Sequence, residues 1–237
     1  MNYQSPSLVA MTADLKNIIS GGRATKDIPQ VSDEQIKFWV ISKRAKYLTQ
    51  KLSKGDKMDS DFVQSICLDL ELVDRSLCCN ISLECKLLRS VQELPSFLDI
   101  TRLGPVDIGA KRWSIIDYSR VGVEQYAPEY GRKFIKGFFT DFSRSLFLYY
   151  NPDYVPEAKY LTAANIMGIL EDPTQAALYN SCATGLPCYK DTDAFPISLK
   201  LWNDIKQDIL KNELGITMQT VEDTTNNSKA DAPMVKK

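Results

Sequence analysis

Apolar residues recur at helical spacing toward both ends of this chain and at a spacing of two through its middle. That change of period limits the fold more than any other feature, because a helix stripe and a strand face are not interchangeable. From Met11 to Ser20, Leu15, Ile18 and Ile19 share one helical face, and Gly21-Gly22 ends the run. A connector then leads past Pro29 to Ser32-Asp33-Glu34-Gln35. Serine followed three residues later by glutamine is a capping box, so a second helix is expected to start at Ser32. Its stripe is Ile36, Trp39, Val40, Tyr47, Leu48 and Leu52, with lysine and arginine expected on the opposite side and Gly55 as the stop. The stripe fits a core-packing helix better than a coiled coil or a lipid-facing one. A last helix follows Phe195-Pro196, with Ile197, Leu201, Trp202, Ile205, Ile209, Leu210 and Leu214 as its stripe and Gly215 as its end.

The middle reads as strands. In SDFVQSICLDLELVD, Phe62, Ile66, Leu68, Leu70 and Leu72 lie on a strand of half-buried type. CKLLRSVQELP, PVDIGAKRWSIID, RSLFLYYNP and KYLTAANIMGILEDP supply further strands between turn residues, and Pro173 opens a short helix from Gln175 to Tyr179. The expected fold class is α+β: an antiparallel β-sheet or small sandwich body, long amphipathic helices from the N- and C-terminal parts, and an extended C-terminal tail. Residues 1–31 form an arm with a short helix, 32–216 a single domain, and 217–237 the tail. Asp117 to Phe142, with glycine and proline spread among tyrosine and phenylalanine, is expected to protrude as a loop or hairpin.

A chain of 237 residues with 44% hydrophobic residues holds one substantial core. Its net charge of -1 gives no global drive toward DNA or acidic membranes. No apolar run approaches the ~20 residues that span a bilayer, and the N-terminus lacks a basic segment followed by an apolar one. A soluble protein, intracellular at synthesis, is the expectation.

Histidine is absent, which removes Ser-His-Asp and Cys-His catalysis and every histidine-containing metal motif. Phosphate loops, dinucleotide fingerprints and nucleophile elbows are absent as well. The cysteines are Cys67, Cys78, Cys79, Cys85, Cys182 and Cys188. The repeated five-residue gap in Cys79–Cys85 and Cys182–Cys188 is wider than zinc loops favour, so buried thiols are expected rather than a metal site or disulfides. Glu171-Asp172 reads as an acidic turn favouring the helix after Pro173, in preference to a metal pair. From Lys111 to Gly137, six basic residues outnumber three acidic ones and interleave with Trp113, Tyr126, Tyr130 and Phe134. That mixture suits either a solvated loop or contact with nucleic acid. The tail from Thr217 to Lys237 has too few apolar groups to offset the entropy of ordering, so its task is expected to be contact with another protein.

VSDEQIKFWVISKRAKYLTQKL, FVQSICLDLELVDRSLCCN, LLRSVQELPSFL, MGILEDP and FPISLKLWNDIKQDILKNELGITMQTVEDTTNN occur in that order from Ser32 to Asn227. Together they resemble a structural protein of crAss-like short-tailed phages, of the head-to-tail connector (adaptor or gatekeeper-like ring) type. The resemblance implies a cyclic ring of about twelve copies beneath the portal protein, with genomic DNA passing non-specifically through its channel. It implies no catalysis and no cofactor, and a virion location in the neck or tail. On this reading the helices from Ser32 and Ile197 build a lateral wall, and the sheet faces the next tail or ring protein. The tail would contact the portal or a neighbouring subunit through Thr217, Met218, Gln219 and Val221, then Asn226 and Asn227, then Met234 and Val235. Tyr126, Tyr130, Arg132, Lys133, Phe134 and Lys136 would reach toward the channel or the next ring. A cargo or scaffold protein, which forms no stable ring, is the nearest alternative. A DNA-contacting module using Arg132, Lys133 and Lys136, and an enzyme with a site at Glu171 and Asp172, are further ones.

Overall fold

A computed structural model describes residues 5–21, 31–74, 85–107, 111–121, 134–139 and 144–215. Helix α1 (Leu8–Ile19) begins at Ser7, whose hydroxyl accepts the Ala10 N–H, three residues earlier than the apolar spacing suggested. Helix α2 (Asp33–Ser53) begins at Ser32, which accepts the Gln35 N–H at 3.1 Å, as the capping box requires. Helix α3 (Leu199–Asp208) is capped by Ser198, runs on as one π turn over Ile209–Glu213, and is followed by Gly215 at φ 64°. A residue with a Cβ is disfavoured there, so glycine is the natural end of the helix.

Seven strands form the body: β1 (Gln64–Val73), β2 (Lys86–Ser90), β3 (Phe97–Gly104), β4 (Ser114–Ile115), β5 (Lys136–Phe139), β6 (Leu146–Tyr150) and β7 (Ala163–Leu170). Their order is β3-β7-β1-β2-β6-β5-β4, antiparallel throughout except for the parallel β4–β5 pair. Strand β1 is shared: its first half pairs with β7 (Ile66 opposite Ile166) and its second half with β2 (Leu72 opposite Leu88). The sheet turns there, and its two ends approach each other. The Trp113 N–H donates to Leu103 O at 2.8 Å, lacing the β4 end to β3. Inside the curl, a Cβ on Gly137 of β5 would lie 2.4 Å from Leu103 Cδ2 of β3. The body is therefore a nearly closed sheet, the antiparallel option rather than a sandwich.

The helices cover one side of it. Leu8, Met11 and Leu15 of α1, Ile36, Val40 and Leu48 of α2, and Leu201, Trp202, Ile205, Ile209 and Leu210 of α3 share one core with Ile66, Leu68, Leu88, Leu148 and Ile166. Full burial of each large apolar side chain contributes on the order of 2 kcal/mol. The helix of the N-terminal arm is part of this core, and Phe195 N–H to Pro6 O (3.1 Å) fixes the segment before α1 beside the one before α3. A smaller cluster lies on the opposite face of β2, β6 and β5, where Leu87, Phe147, Tyr149 and Phe138 are covered by Val121 and Ile116. Strand β6 is thus buried on both faces, which explains its unbroken run LFLYY.

Several expectations are corrected by this arrangement. Strand β3 was not evident in the sequence, and among the described residues of PVDIGAKRWSIID only Ser114 and Ile115 form a strand, β4. Within the segment read as protruding, the described parts belong to the body. Strand β5 lies between β4 and β6, and Tyr118 at the start of a 3-10 turn packs on Phe138 with ring centroids 6.0 Å apart. Residues 122–133 lie outside the described residues. Cys67 and Cys182 form a disulfide across 115 residues instead of serving as buried thiols. Cys85 and Cys188 are half-buried, while Cys78 and Cys79 lie outside the described residues.

Candidate assembly surfaces

The helical side is tied to the sheet by one cation. Arg44 falls on the i, i+4 row of Ile36, Val40 and Leu48, so α2 points it into the core rather than to solvent, against the expectation for its arginines. Its side chain is fully buried. Nε donates to Pro196 O and Nη1 to Leu170 O, each at 2.8 Å, and the guanidinium lies 5.8 Å from the Phe195 ring centre. One residue therefore joins α2, the end of β7 and the entry to α3. Burial lowers its pKa to about 10, so it remains charged at neutral pH.

Ion pairs lace the helices at their rims. Lys43 of α2 bonds Glu213 at 2.8 Å and Asp208 at 3.0 Å, both on the α3 arm. These two carboxylates, Glu213 first, raise the lysine pKa above its ordinary value. Lys206 of α3 meets Asp14 of α1 at 2.7 Å, Lys37 meets Asp191 at 2.6 Å, and Lys16 pairs with Asp33. The outer face of α2 presents Phe38, 63% exposed.

A second surface surrounds the turn at 179–188. This segment folds back on itself through Ser181 N–H to Leu186 O and Cys188 N–H to Tyr179 O. It covers the first half of β1 by Cys67 N–H to Asn180 O at 3.0 Å, and the Cys67–Cys182 bond fastens it there. The turn carries Leu186, and Leu178 precedes it, 61% and 81% exposed respectively. Apolar side chains exposed singly in this way are ordinary on a protein surface. A cavity of about 590 Å³ opens beside the turn, lined by Gln64, Tyr189, Asp61, Asp193 and Phe195 among others. Burial raises the Tyr189 hydroxyl above its ordinary pKa.

The third surface is a groove of about 330 Å³ where β3 faces the end of β5, lined by Leu94, Pro95, Ser96, Phe97, Ile100, Phe139 and Arg144. Phe97, Ile100 and Phe139 are half-buried and rest on the main core.

The residues singled out in the sequence divide sharply. Lys136 is the first residue of β5, buried and paired in register with Tyr149 and Ser114. Phe134 lies just before it, with Lys111 Nζ 3.6 Å from its ring centre, a cation–π contact. Tyr126, Tyr130, Arg132 and Lys133 lie outside the described residues, as do Thr217, Met218, Gln219, Val221, Asn226, Asn227, Met234 and Val235. Asp172 accepts from Thr174 N–H at 2.9 Å and from its hydroxyl at 2.7 Å, the helix-capping role expected of the Glu171-Asp172 pair. Among the described residues, no three Cys, Asp or Glu side chains are placed to hold a metal, and no helix is long and apolar enough to cross a membrane. Sequence reasoning missed Arg44, the fastened turn and the groove. Only Arg44 had a legible signal, its place between Val40 and Leu48.

Compared with known proteins, residues 17–232 match the family model described as phage tail ring protein 2, of the crAss ring series. No curated protein matches the chain.

Proposed function

This chain belongs to the phage tail ring protein 2 family, and from that premise we propose that it is the connector ring joining the capsid portal to the tail. The family is one of virion structural proteins that form rings in the phage tail, not an enzyme family. Within it, the reading assigns this chain a closed ring of about twelve copies directly beneath the portal, with the genome passing non-specifically through the channel. The ring is an adaptor: it works by shape, without catalysis or cofactor. Residues 32–216 are its structural unit, 1–31 its arm and 217–237 the segment that docks on the portal or a neighbouring copy.

The observation that carries this reading is the extent of the match, which runs from within α1 through the sheet and α3 and into the tail. The structure supports it by its build. Helices α1, α2 and α3 are laced to one another by rim ion pairs and tied to the sheet by Arg44, one body fit to pack as a unit. Leu178 and Leu186 on one surface and Phe38 on another offer the two unlike contacts that each member of a cyclic ring needs.

Electron microscopy of the purified chain, alone and mixed with portal, tests the reading. Rings that stack on portal are expected. A strict monomer in both samples, with no affinity for portal, refutes it. A chain ending at Thr217 should keep its fold and lose docking; normal assembly of that form refutes the role given to the tail.

A further inference from the structure

The groove between β3 and β5 has the form of a missing strand. Among the described residues β3 pairs in the sheet only with β7, and Trp113 N–H to Leu103 O laces one end of its far edge. Toward its other end, from Phe97 to Ile100, the edge faces the groove of about 330 Å³. Leu94, Phe97, Ile100 and Phe139 make an apolar floor, and the exposed Arg144 stands at its rim. An open strand edge over an apolar floor takes an extended segment, whose main chain bonds the edge and whose alternate side chains fill the floor.

The sequence that follows Gly215 has that form. If Ile216-Thr217-Met218-Gln219-Thr220-Val221 were extended, Ile216, Met218 and Thr220 would share one side and Thr217, Gln219 and Val221 the other. Glu222 and Asp223 come next, opposite in charge to Arg144. Apolar alternation for the floor followed by two carboxylates for the rim is a complementary order. In a ring each copy lies beside another, so a segment leaving the end of α3 has a neighbour's groove to enter.

We propose that residues Ile216–Val221 of one copy add as a strand to β3 of the adjacent copy, seating Ile216 and Met218 on Phe97, Ile100 and Phe139, with Glu222 or Asp223 against Arg144. This deepens the reading of the chain as a ring subunit and rests on it. It makes the contact between neighbours a strand exchange around the ring.

The test is site-specific photocrosslinking in the full chain, with benzoylphenylalanine in place of Met218, in rings assembled from an equal mixture of light and heavy nitrogen-labelled protein. Mass spectrometry should find crosslinks to Phe97, Ile100 or Phe139, with mixed-isotope pairs marking contact between copies. Arg144→Glu should lower that yield on the order of two- to fivefold, the worth of one exposed ion pair, and Glu222→Arg in the same chain should restore it. Crosslinks within one copy, to the portal alone, or to another face overturn the strand exchange while leaving the ring reading intact. Absence of rings in the unmodified protein overturns the ring reading itself, and the exchange with it.

Discussion

Replacing Arg44 by alanine is the sharpest test of how the helices are held to the sheet. Two charge-assisted hydrogen bonds disappear, to Pro196 O and Leu170 O. Each contributes about 1.5–3 kcal/mol, so the gross loss is roughly 3–6 kcal/mol. Against this stands the relief of burying a guanidinium. Burial lowers its pKa to about 10, a net cost to the charged form on the order of 3 kcal/mol at about 1.4 kcal/mol per unit. Truncating the side chain also leaves a void among Phe195 and its neighbours, which costs a further ~1–3 kcal/mol. The balance predicts a net destabilisation of about 1–6 kcal/mol. Urea unfolding followed by circular dichroism measures it, with an unchanged slope as evidence that the same surface is exposed. Arg44→Met separates the causes, because methionine refills most of the space while leaving both carbonyls without their donor. It should lose roughly 1–3 kcal/mol. A loss below about 1 kcal/mol in the alanine variant, or a methionine variant as stable as the parent, would show that these hydrogen bonds do not hold the layers together.

Three further predictions follow from single contacts. The Lys43 ammonium has its pKa raised by Glu213 and Asp208, so its stabilising effect is complete below the ordinary lysine value of 10.5 and is lost as pH rises through the higher folded value. The melting-temperature gap between the parent and Lys43→Met should be constant across neutral pH and close above 10.5; a gap that persists unchanged well above 10.5 contradicts the assignment. In Gly168→Ala the new Cβ would meet the Asp99 carbonyl oxygen of β3 at 2.4 Å, a backbone clash expected to cost about 1–3 kcal/mol by chemical denaturation. Cys182→Ser should lower stability by about 2–5 kcal/mol under oxidising conditions and have little effect in reductant, because the Cys67–Cys182 bond closes a long loop.

The elements legible in the sequence are those whose signal is local. Ser32 and Gln35 announce α2 because a cap and its partner are three residues apart. Strands β6 and β7 are visible because burial on both faces leaves a run that is wholly apolar in β6 and broken only by Asn165 in β7. Strand β3 is not, because register shifts between Phe97 and Asp99 and between Ile100 and Arg102 break the alternation that would have marked it. Strand β5 is four residues long and contains Gly137, too little for a period to emerge. The disulfide joins residues 115 apart, and nothing at either cysteine names the other. The same holds for the groove: Leu94, Phe97, Ile100, Phe139 and Arg144 become neighbours only when the two ends of the sheet approach. The groove is a product of closure, whereas the fold class is written in the periods.

A symmetric reconstruction of the virion tail tests the central claim most directly. The account predicts a closed ring immediately below the portal whose repeating density takes the nearly closed seven-stranded sheet and its three helices, copy after copy around the channel. Density for this chain that is scattered, packed inside the capsid, or absent from any ring would contradict it.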